Sequence, residues 1–110
     1  MTLNLGCLMG RFVPIAKVAA LESQPAIEVV IEGRIVAVYR VDGEYVAIEG
    51  ICPHAGGPLG AGTLVGTTVT CPWHGWQFDV TTGRHCLSDR IQQATYVVRV
   101  DGDDICVELP

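Results

Sequence analysis

Short stretches rich in Val, Ile and Tyr recur along the chain between glycine-containing turns, and no segment sustains a helical period over three turns. This pattern predicts an all-β protein. Residues 34–41 (RIVAVYRV) and 44–49 (EYVAIE) flank Asp42-Gly43, a dipeptide suited to the left-handed turn of a tight hairpin, so the two segments are expected to pair antiparallel. Asp101-Gly102-Asp103 separates 95–100 (TYVVRV) from 104–109 (DICVEL) and predicts a second hairpin. Gly33 is expected to turn 27–31 back onto 34–41, and 17–24 (KVAALESQ) reads as a loop or at most one helical turn.

Between residues 50 and 80 the strand pattern breaks down, and glycine and proline crowd together. Loops on a rigid β scaffold commonly carry function. The stretch is read as an insertion of loops that forms a functional tip.

Composition narrows the setting. With 49% hydrophobic and 17% charged residues the chain is expected to fold, and 110 residues make a single domain, 1–110, near the size at which a bound metal helps a small core. Seven basic against twelve acidic residues give a net charge of −5, which argues against nucleic acid as a partner. No apolar run approaches the ~20 residues that span a bilayer, and the opening MTLNLGCLMGRF lacks a basic leader, so no membrane partner and a cytoplasmic location are expected. Five cysteines cannot all pair within the chain, and a reducing compartment favours metal ligation instead.

Two loops hold the candidate chemistry: ICPHAGGPLG supplies Cys52 and His54, and TCPWHGWQFD supplies Cys71 and His74. The order is C-x-H, sixteen residues, then C-x2-H. Thiolates and imidazoles suit zinc and iron–sulfur centres alike. In an extended segment, residues two apart share a side, which places Cys52 and His54 better on two adjacent metals than on one small ion. Two such loops can offer both cysteines to one iron and both histidines to another. A structural zinc site is the competing reading, although its loops usually pair like ligands as C-x2–4-C and H-x3–5-H.

CPHAGGPLG followed at this interval by CPWHGWQFD resembles the paired loops of the Rieske family, closest to its soluble ferredoxins. The resemblance is tightest over residues 50–83 and implies three stacked antiparallel sheets with a loop-rich subdomain at the tip. It implies one [2Fe-2S] cluster bound by Cys52, His54, Cys71 and His74, with the imidazole edges at the surface as the exit for electrons. Gly57 and Trp73 stand where high-potential respiratory members carry a disulfide, and Trp76 and Phe78 where those members carry serine and tyrosine hydroxyl donors. A low potential follows from those losses.

The implied role is a one-electron carrier between a flavin-dependent reductase and a terminal oxygenase. The alternative is the small subunit of a NAD(P)H-dependent nitrite reductase, working with a large reductase subunit. No catalytic residue is evident, so the chain is not expected to turn over a substrate alone. Trp73, Trp76 and Phe78 are expected to shield the cluster from water, and His85 to be a solvated loop residue. Cys86 and Cys106 read as small, partly buried side chains, and Cys7 as a thiol near the start of the chain.

Overall fold

The computed structural model describes residues 11–54 and 56–110; Cys7 lies outside them. Eleven strands form three antiparallel sheets among the described residues. β1 is Arg11–Lys17, followed by a 3-10 turn at Val18–Leu21 in the segment expected to hold at most one helical turn. β2 (Ala26–Ile31), β3 (Arg34–Val41) and β4 (Glu44–Glu49) form a meander. β5 (Thr63–Val65), β6 (Thr68–Thr70), β7 (Gln77–Asp79) and β8 (Arg84–His85) follow a second 3-10 turn at Leu59–Ala61. β9 (Thr95–Tyr96), β10 (Val98–Asp101) and β11 (Asp104–Leu109) complete the chain.

The turns behave as their residues require. Asp42 and Gly43 have φ of 51° and 80°, left-handed at both central positions of the β3–β4 hairpin, the pairing a type I′ turn demands. Glu32-Gly33 does the same between β2 and β3, with φ of 52° and 78°.

The middle sheet has the order β2-β3-β4-β9 and separates two cores. Residues 36–39 of β3 are all buried, and their alternation sends Val36 and Val38 to one side and Ala37 and Tyr39 to the other. On the first side they meet Ile105, Val107 and Leu109 of the sheet β1-β11-β10, together with Leu21. On the second side Ala37, Tyr39 and Ile48 meet Leu59, Val69, Phe78, Val80 and the two loop cysteines, Cys52 and Cys71. Burying these side chains is the main drive for stacking the sheets, at about 1.5–3 kcal/mol for each large apolar residue.

Two expectations need correction. Residues 95–100 are not one strand: Thr95 and Tyr96 pair with β4, whereas Val98–Asp101 pair with β11. The chain crosses from the middle sheet to the terminal sheet at Val97, which is exposed while Tyr96 and Val98 pack on the same core. The period of two is unbroken by this step, so alternation does not reveal it. The stretch 50–80 is also more regular than loops, since β5, β6 and β7 with β8 make a third sheet. Three-residue strands are too short to show a period; buried Val69 and Phe78 hold them to the core.

Candidate metal centre

Each cysteine opens a six-residue loop closed in the same way. In the first loop the Cys52 N–H donates to the Gly57 carbonyl at 2.8 Å, above an antiparallel bridge between Ile51 and Pro58. In the second the Cys71 N–H donates to the Trp76 carbonyl at 2.7 Å, above the paired Thr70 and Gln77 of β6 and β7. The second loop turns through His74 and Gly75, with φ of 69° and 78°. A left-handed histidine is uncommon and signals a conformation imposed by its surroundings.

Closed this way, the loops sort their side chains by depth. Cys52 and Cys71 are 1% and 2% exposed, while His54 and His74 lie at the surface. The imidazole centroids are 5.1 Å apart, with the rings at 72°. Both thiols are unbridged. Burial pushes the Cys71 thiol up, the Trp73 backbone N–H donating to its sulfur draws it down, and the neighbouring Cys52 thiol raises it again. An amide aimed at that sulfur also stabilises negative charge there.

The loops meet closely at Gly57. A Cβ there would lie 2.6 Å from the Cys71 sulfur and 3.1 Å from the Trp73 Cβ. Gly57 and Trp73 therefore face one another, as the positions of an inter-loop disulfide must. Their identities leave this junction without a disulfide.

The donor set suits a two-metal cluster. Among the described residues no three or more His, Cys, Asp or Glu side chains gather around a single ion position. A structural zinc ion asks for four such ligands at one point. Two buried thiols and two exposed imidazoles fit the division of ligands, two to each of two irons, that distinguishes a Rieske centre.

Around this set, three side chains depart from expectation. Trp73 is 50% exposed: its Cβ and Cγ lie against Gly57, while half of its surface faces solvent rather than covering the site. Phe78 is fully buried, and half-buried Trp76 lies flat on His54, with centroids 4.4 Å apart and planes at 4°. His85 is not a solvated loop residue: it is 8% exposed, in β8 opposite Phe78, with its ring against Trp76 and Phe78. Its position in a short strand beside two large rings encloses it. Cys86, just past the end of β8, is exposed rather than partly buried, whereas Cys106 is buried within β11.

Two supports carried no signal in the sequence. Buried Gln93 donates from Nε2 to the carbonyls of Glu49 and Ile51 at 3.0 and 2.6 Å, tying down the entrance to the first loop. Tyr39 donates its hydroxyl to the Leu59 carbonyl at 2.7 Å, beneath the exit of that loop. Burial, and then the nearby Cys71, raise the Tyr39 phenol well above its ordinary range. Gln93 stands in the polar run IQQAT, where nothing distinguishes it from Gln92.

Residues 11–100 match the family model described as the Rieske [2Fe-2S] domain. The chain is 35% identical over 82 residues to the ferredoxin component of the naphthalene 1,2-dioxygenase system of Pseudomonas aeruginosa, covering 74% of this chain and 79% of that protein. The Sphingomonas yanoikuyae B1 ferredoxin superposes with a TM-score of 0.82 at 30% identity, over 91% of this chain and all of the other. The ferredoxin of carbazole 1,9a-dioxygenase from Nocardioides aromaticivorans IC177 gives 0.81 at 29% identity, over 90% and 98%. With the match spanning all three sheets and both cysteine-bearing loops, the chain belongs to the Rieske [2Fe-2S] family, and the cofactor its tip is built around is one Rieske cluster.

Proposed function

We propose that this protein is a one-electron carrier whose cluster is held by Cys52, His54, Cys71 and His74, and that it passes electrons from a flavin-dependent reductase to a terminal oxygenase. The observation that carries the reading is the separation of depth: buried thiols beneath surface imidazoles. The bound cluster supplies reversible one-electron oxidation and reduction. The chain's own residues do the rest. Cys52 and Cys71, backed by the second core, would hold one iron on the buried side, and His54 and His74 would hold the other where their exposed imidazoles offer a docked partner an edge for electron exchange.

The similarity to ferredoxin components of dioxygenase systems supports an oxygenase as electron acceptor. No helix among the described residues is long and apolar enough to cross a membrane. A cytoplasmic setting, where thiols stay reduced, belongs to the same reading. The nitrite reductase alternative differs in one measurable respect, tight co-purification with a large sirohaem or flavin subunit.

Trp76 and buried Phe78 bring no hydroxyl donor to the loops, which leaves the reduced state less stabilised. The potential is therefore placed near the low end of the Rieske range, roughly −150 mV. Iron and acid-labile sulfide analysis of anaerobically purified protein tests the cluster, with electron paramagnetic resonance after dithionite reduction. Two of each per chain, with the low average g value of mixed Cys/His ligation, is the expected result. Zinc in place of iron, or a potential above about +100 mV, overturns the respective assignments.

A further inference from the structure

His85 is the buried side chain that the electron-carrier reading leaves unused. Backbone and ring are both held: the His85 backbone N–H donates to the Ile91 carbonyl at 3.0 Å, the residue pairs with Phe78 across β7 and β8, and the ring Nδ1 accepts the Leu87 backbone N–H at 3.0 Å. Accepting at Nδ1 places the proton of the neutral ring on Nε2. That atom is buried and has no hydrogen-bond partner among the described residues. A buried donor without an oxygen or nitrogen partner is rare enough to need a reason.

The aromatic neighbours provide one. The His85 ring stands at 85° to both Trp76, 4.7 Å away, and Phe78, 5.1 Å away. Perpendicular packing is a favoured arrangement of such rings and lets an N–H point at an aromatic face. Trp76 in turn lies flat on His54, and its carbonyl closes the second loop. A continuous row of rings, His85, Trp76, His54, thus runs from β8 to the surface of the first loop.

Resting on the ligand assignment above, we propose that His85 is a positioning residue: through Trp76 it fixes the orientation and water exposure of the His54 ring, and so sets the reduction potential. Water reaching His54 stabilises the extra negative charge of the reduced state. Loosening Trp76 must therefore raise the potential.

Redox titration of the holoprotein tests this with His85→Leu, which keeps the volume but removes the ring, and His85→Phe, which restores a ring. His85→Leu is expected to retain two irons and to favour the reduced form about tenfold at a fixed mediator potential, about 59 mV for one electron. His85→Phe stays within about twofold of the original. Trp76→Leu shifts at least as far as His85→Leu, and adding His85→Leu to it changes the ratio less than about twofold, because the two act in series. An unmoved potential in His85→Leu, or shifts that simply add in the double variant, overturns the proposal. If His85→Leu fails to hold iron, His85→Phe decides: a shift as large as that of Trp76→Leu overturns it and a near-original value supports it. An original protein lacking the mixed Cys/His signal instead defeats the ligand assignment.

Discussion

The two cysteine-bearing loops reach one geometry by different means. Both span six residues and close with a cysteine N–H bonded to the carbonyl five residues on. The second is the end of a β hairpin, supported by the pairs Thr70 with Gln77 and Val69 with Phe78. The first has a single bridge, Ile51 with Pro58, and its support comes from distant residues: Gln93 on the Glu49 and Ile51 carbonyls, and Tyr39 on that of Leu59. A loop without a ladder behind it needs side chains to satisfy its backbone. Its stability is therefore tertiary where that of its twin is local.

The largest expected effect probes the point where the loops meet. Gly57→Ala places a methyl group 2.6 Å from the Cys71 sulfur, closer than carbon and sulfur can approach, so one loop must withdraw from the other. Iron per chain is expected to fall below about half of the original, in line with the 10–100-fold losses typical of displaced ligand supports. Full iron content in this variant would mean that the junction yields more readily than the geometry shows.

Next is the support peculiar to the first loop. Gln93→Ala leaves two carbonyls without their donor, at a cost of about 1–3 kcal/mol in denaturant unfolding. Hydrogen exchange should quicken around residues 49–52 and leave 70–77 unchanged. Equal quickening in both loops would erase the distinction between them.

The smallest effect belongs to the second loop. Gln77 Nε2 donates to the Thr70 hydroxyl at 3.1 Å, on the exposed side of a ladder that already holds the loop. Gln77→Ala is expected to change stability by less than about 0.5 kcal/mol. A loss matching that of Gln93→Ala would show the hairpin to be weaker than its pairing suggests.

The same contrast governs what was readable along the chain. Asp42-Gly43 marks a hairpin wherever it occurs between two apolar runs, because the left-handed turn is a property of those two residues. The cysteines and histidines of the two loops were legible for a similar reason: ligand chemistry resides in the side chain, and the spacing within each loop is local. The split at Val97 was not legible, since a strand that changes sheets keeps its alternation. Nor was burial of His85, whose neighbours Phe78 and Trp76 come from β7 and the loop before it.

The sequence by itself determined the β character, the first hairpins and the position of the four candidate donors, all of which depend on neighbours within a few residues. Only the tertiary structure decided which donors are dry and which face water, which glutamine carries the first loop, and which rings stand behind His54. Those outcomes depend on packing between segments more than forty residues apart, such as Gln93 and Ile51, and no local pattern encodes a partner at that distance.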